Sequence, residues 1–118
     1  MNEERERRLA QNEALSRDVN EVVEDIAESW FEEDERLDFL CECSRGDCAA
    51  HVSLTRQEYE SVRSDPLRFV LFPGHADPRV EREIGQIREY VLVEKTGPGV
   101  TIAEETDPRS EGPLGRVR

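Results

Sequence analysis

Apolar side chains are sparse and regularly spaced over the first thirty or so residues. From Leu15 they recur in steps of three and four at Val19, Val22, Ile26 and Trp30, joined by Val23 and Phe31, with Leu9 upstream. This spacing draws one narrow apolar stripe along a helix whose remaining surface is charged. Gly and Pro are absent, so residues 3 to about 33 are predicted as one long helix. The turn before Leu9 is almost wholly charged and is expected to fray. The stripe must bury against something, because an isolated helix is marginal in water. Two destinations are open: the protein's own core, or a second helix, since the stripe is about as narrow as a coiled-coil seam.

Beyond residue 36 the period shortens to two. Leu37–Cys43 reads as a strand with Leu37, Phe39 and Cys41 on one face and Asp38 and Glu42 on the other, broken by Leu40. Ser44, Arg45, Gly46 and Asp47 read as a turn, and His51–Leu54 as a short strand. Thr55-Arg-Gln-Glu58 is a capping box opening a helix with Tyr59 and Val62 inward, and Asp65-Pro66 ends it. Phe69–Phe72 has strand length and stops at Pro73-Gly74, with His75 next. Asp77-Pro78 resembles a second helix start, with Val80, Ile84 and Ile87 as its buried face despite Gly85. Tyr90–Glu94 is the most strand-like segment. Gly97-Pro98-Gly99 reads as a turn, and Val100–Ala103 as the return strand of a hairpin. The last stretch is acidic, then rich in Pro, Gly and Arg, with little to bury. These elements predict an α+β fold: an acidic amphipathic helix over 1–36, a small, mostly antiparallel β core with one or two short helices over 37–103, and a disordered tail over 104–118.

Charge sharpens this division. The chain of 118 residues carries a formal net charge of -12. Residues 1–36 hold thirteen acids against five Arg, a balance of -8. Such a surface disfavours non-specific binding to a phosphate backbone and favours solubility and basic partners. Nucleic-acid binding would rest on Arg79, Arg82 and Arg88 alone. No stretch approaches the ~20 apolar residues of a membrane span, and the first residues do not read as a secretory signal. A cytoplasmic location with reduced thiols is the expectation, with no membrane partner.

All three cysteines fall within Cys41-Glu-Cys43-Ser-Arg-Gly-Asp-Cys48, and the two histidines follow at His51 and His75. A closed structural site needs four ligands. Three thiolates and one imidazole give a Cys3His zinc centre, provided the strand bends at Cys43 and Gly46 lets the chain return. Cys48-x2-His51 has acceptable ligand spacing. His75 follows a tight turn after a strand, which suits presentation of a single ligand to a site built elsewhere. Phe69–Phe72 lying beside Leu37–Cys43 would deliver it, so His75 is preferred and His51 stays open. A [2Fe–2S] cluster on three cysteines and a histidine is a rival, but the cysteine spacing departs from that pattern. Reversible thiol oxidation is another. A catalytic zinc keeps an open position, which four such ligands would close. The zinc-deaminase pattern is absent, because His75-Ala76-Asp77 is not H-x-E and no C-x-x-C occurs. No nucleophile elbow and no glycine-rich phosphate loop is present either. The sequence therefore argues against an enzyme.

The ordered motifs CEC (Cys41–Cys43), Cys48, Leu54–Arg63, Asp65–Phe69, PGH (Pro73–His75), YVLVEK (Tyr90–Lys95) and Ala103–Arg109 together resemble a family of small, largely uncharacterised bacterial proteins. The leading RLAQNEALSRDVNE resembles that family's first helix. The resemblance implies that Cys41, Cys43, Cys48 and His75 form one metal site with His51 outside it, and it supplies no activity. The expected function is a zinc-binding regulatory or adaptor protein that docks a protein partner, or a second copy, through its acidic helix. The alternative is a thiol-based redox or zinc sensor.

Overall fold

The computed structural model describes residues 3–109 apart from Gly46 and Pro98. The first helix, α1, runs Glu3–Trp30. It is followed by β1 (Arg36–Leu40), β2 (His51–Thr55), α2 (Arg56–Arg63), β3 (Arg68–Leu71), β4 (Glu81–Ile87), β5 (Tyr90–Lys95) and α3 (Gly99–Glu105). The fold is α+β. β1 and β2 form an antiparallel pair, and β3-β5-β4 form a second antiparallel sheet. No helix among the described residues is long and apolar enough to cross a membrane.

Local chemistry explains several of these elements. Thr55 caps α2 by accepting from the Glu58 N–H, and Glu58 accepts from the Thr55 N–H. Tyr59 and Val62 then face inward, and the Tyr59 ring stacks on Phe39 at 4.5 Å. Phe39, Val52, Leu54, Tyr59, Val62, Val70 and Tyr90 form one buried cluster. A second gathers Phe69, Leu71, Val91, Val93 and Ala103 around Cys41 and Cys43.

Four expectations change. The segment after Asp77-Pro78 closes only one turn, with the Val80 and Glu81 N–H groups donating to Asp77 O. The chain then extends as β4, because β5 offers an edge that satisfies its backbone. Val80 is buried, while Ile84 and Ile87 are exposed rather than inward. Val100–Ala103 is helical within α3, whose Ile102 and Ala103 bury side by side. At Gly99, where this helix begins, a Cβ would come within 2.9 Å of the Lys95 side chain and near Ala10. Residues 104–109 are held rather than loose. Arg63 binds Asp107, and Arg109 makes a bidentate bond to Glu60 at 2.9 Å and reaches Glu21 at 2.7 Å. Residues 110–118 of the expected tail lie outside the described residues.

The fourth change concerns α1, which is not separable from the core at residue 36. Its outward face carries the apolar stripe: Leu15 is 64 % exposed, Val22 57 %, Ile26 58 % and Trp30 78 %. Its inward face carries Glu13, Arg17, Asn20, Glu21 and Glu24 among Ala10, Ala14 and Ala27, all buried. At 100° per residue the centres of the two faces lie roughly 170° apart. The alanines let the helix approach closely, and the polar groups find partners. Arg17 donates to Pro66 O at 2.8 Å and to Ala103 O at 2.9 Å, near the carbonyl end of α3, and lies over the Phe69 ring. Lys95 binds Glu13 and, at 3.2 Å, Glu81, with all three side chains sealed from water. Burial first, then the Glu81 carboxyl, hold Glu13 well above the usual carboxylate range.

Candidate metal centre

The β1–β2 pairing ends at Leu40 opposite His51, with one further bond from Cys41 N to Ala50 O at 3.0 Å. The described residues from Glu42 to Ala49 lie beyond it and carry two of the thiols. Extended backbone puts alternate residues on opposite sides, so Cys41 and Cys43 face one way and Glu42 the other. This puts the pair on one side, and their sulfurs close to within 4.8 Å, less than the roughly 6.6 Å that two strand residues span. Glu42 is fully buried, not on the polar face its position suggests. Its carboxyl accepts from Asn20 Nδ2 at 2.8 Å, from the Tyr59 hydroxyl at 2.7 Å and from the Val70 N–H at 3.0 Å. Burial raises its pKa against these three donors. The side chain thus pins the segment between the two cysteines to α1, α2 and β3. Asn20 adds bonds to Leu40 O and from the Leu40 N–H, and Asn12 donates to Ser44 O.

His75 arrives from the other sheet. Phe72-Pro73-Gly74-His75 is a turn closed by His75 N to Phe72 O at 3.1 Å, with Pro at its second position and Gly74 at φ +89° at its third. A type II turn needs the positive φ that Gly74 supplies, and Pro73 suits its second position. Phe69–Phe72 was expected to lie beside Leu37–Cys43. Instead β3 pairs with β5, and it touches the cysteine segment through Glu42 N to Val70 O at 2.8 Å and Phe72 N to Cys41 Sγ at 3.1 Å.

The ligand atoms of Cys41, Cys43, Cys48 and His75 all lie within 4.8 Å of one another. His75 Nδ1 is 3.5 Å from both Cys41 Sγ and Cys48 Sγ. A tetrahedral zinc with ordinary bond lengths requires a nitrogen–sulfur edge of about 3.6 Å. These four residues could hold a metal ion. His51 sits on β2, exposed, and is not among them. Gly46, expected to turn the loop, lies outside the described residues. Within the thiol pair Cys43 is the more acidic, pulled down to about 5 by the Cys41 thiol first and by the Arg45 N–H and His75 as well, against its burial. Cys41 moves up, because it is the proton-bearing partner and is buried. Cys48 accepts from the Ala50 N–H at 3.5 Å. Backbone donors aimed at sulfur favour thiolates, the form a metal binds.

Sequence reasoning did not find Glu42, Asn20 or Arg17. The three arginines considered for nucleic acid are each ion-paired: Arg79 with Asp77, Arg82 with Glu94, Arg88 with Glu58. Comparison of the chain with protein-family models, with curated proteins and with solved structures finds no match.

Proposed function

We propose that this is a small non-enzymatic zinc-binding regulatory or adaptor protein, with zinc on Cys41, Cys43, Cys48 and His75 and α1 as its docking surface. The observation that carries the reading is the outward turn of the apolar stripe on α1, from Leu15 to Trp30, on a helix whose other face is already committed to the core. An apolar stripe left in water marks an interaction surface. Zinc suits three soft thiolates and an imidazole in a closed set of four. Its role is to join the β1–β2 loop to the β3 turn in a domain whose core is small. The likeness to the bacterial family with CEC, a third cysteine and PGH agrees with that ligand set.

Metal analysis of protein purified without chelator tests the centre. One zinc per chain is expected, lost in His75→Ala and kept in His51→Ala; the reverse pattern would falsify the ligand assignment. Docking is tested on the full chain, because deleting α1 would strip the core of Arg17 and Asn20. Val22→Glu should abolish partner binding while zinc content and melting temperature hold.

A second reading is favoured by Cys48, which is only half-buried beside the other thiols. Peroxide reaching it would oxidise two thiolates to a disulfide, be reduced to water, and release the metal. Zinc release under stoichiometric peroxide supports a redox sensor. An inert site supports the structural role.

A further inference from the structure

We infer that the outward face of α1 pairs with the same face of a second copy, antiparallel, about a twofold axis between Val19 and Val22. This deepens, and rests on, the docking reading of α1. Leu15, Val19, Val22 and Ile26 are spaced four, three, four. That spacing reads the same in both directions. An antiparallel twofold therefore sets Leu15 against the second copy's Ile26 and Val19 against its Val22, so each apolar position meets an apolar position. Trp30, the most exposed of the group, covers each end of the seam.

Charge selects the direction. Exposed Arg5, Arg7 and Arg8 lie at the start of α1, in a Glu3-Glu4-Arg5-Glu6-Arg7-Arg8 run whose formal balance is zero. Exposed Glu28, Glu32, Glu33 and Asp34 lie at and beyond its end. A parallel pair would set the acidic ends side by side. An antiparallel pair brings each acidic end to the other copy's arginines. The core sits behind the helix, so the two bodies lie on opposite sides of the seam and do not collide. A second copy brings arginines to the acidic end and acids to those arginines, without requiring a foreign chain. Asp18 and Asp25 border the seam and limit its strength. Four apolar layers with two Trp caps make a small interface, so a weak, reversible dimer is expected, with a dissociation constant on the order of micromolar.

Sedimentation equilibrium on the zinc-loaded full chain, at concentrations spanning the micromolar range, tests the inference. A reversible dimer is expected. Val22→Glu should raise its dissociation constant at least ~100-fold with the melting profile of the monomer unchanged. Arg7→Glu with Arg8→Glu should weaken the dimer, as should Glu32→Arg with Glu33→Arg. Combining all four should restore it if the helices are antiparallel. No restoration, or a dimer indifferent to Val22→Glu, overturns the arrangement. A wild-type chain that stays monomeric overturns it too. In that case a synthetic amphipathic helix with an Ile/Leu seam and Lys flanks separates the two ideas. Binding that Val22→Glu removes leaves α1 a docking surface for another protein; no binding removes both.

Discussion

The two faces of α1 reverse the usual arrangement of an amphipathic helix. The inward face is charged and sealed; the outward face is apolar and wet. Charged groups are buried here because each one meets a specific partner. Lys95 answers Glu13 and Glu81; carbonyl oxygens answer Arg17; Arg63 and Arg109 share Glu21. The apolar face meets no such partner among the described residues. A stripe thus identifies two faces of a helix, and only the groups packed against them decide which one is inside.

That contrast can be broken at its strongest point first. Lys95→Met leaves the Glu13–Glu81 pair buried without its cation. The expected loss is about 3–5 kcal/mol of folding stability in urea denaturation, because an uncompensated charge remains in the core. A loss under about 1 kcal/mol would mean that this face is not sealed. Next, Ala14→Leu should cost about 1–3 kcal/mol by overfilling the close contact of α1 with the core. On the opposite face, Val22→Glu should change monomer stability by less than about 0.5 kcal/mol. Equal effects at the two positions would erase the distinction between the faces.

The remaining expected effect is a pH dependence. Burial first, then the neighbouring Glu60 carboxyl, raise Glu24 from its usual 4.5 to about 8. A carboxyl held above its unfolded value favours the protonated fold. Its contribution is complete below about pH 4.5 and is lost as pH rises through about 8. Glu24→Gln keeps the neutral shape at every pH. The urea midpoint of this variant should therefore gain on that of the wild type between pH 6 and pH 9, as measured on zinc-saturated protein. A constant gap would show that Glu24 does not titrate in that window.

What could be read in advance was local chemistry. The capping box of α2 depends on residues three apart. The Pro-Gly turn that presents His75 depends on four consecutive residues. The placing of Cys41 and Cys43 on one side depends on strand alternation. The β4–β5 hairpin gave no such signal. Its two-residue turn is Arg88-Glu89, and Arg88 holds φ +55° without the Gly, Asn or Asp that usually announces it. Gly85, read as a weak point in a helix, instead sits at the register shift of β4. Val100–Ala103 is β-prone by composition, and it is helical where Ile102 and Ala103 bury together and Arg17 binds the Ala103 carbonyl. The buried Glu42 was hidden because its three donors come from α1, α2 and β3, none of them adjacent in sequence.

The sealed charges of α1 also bear on how the chain is made. Glu13 waits for Lys95, Arg17 for Ala103, and Glu21 for Arg109, separations of 82 to 88 residues. During synthesis α1 therefore emerges long before its partners. An apolar inward face would spend that interval exposed and prone to aggregate. A face of Glu, Arg and Asn stays hydrated until the last segments arrive. The polar inner surface thus spares the nascent helix a second exposed apolar face at the cost of slower closure, since contacts this distant in sequence form late.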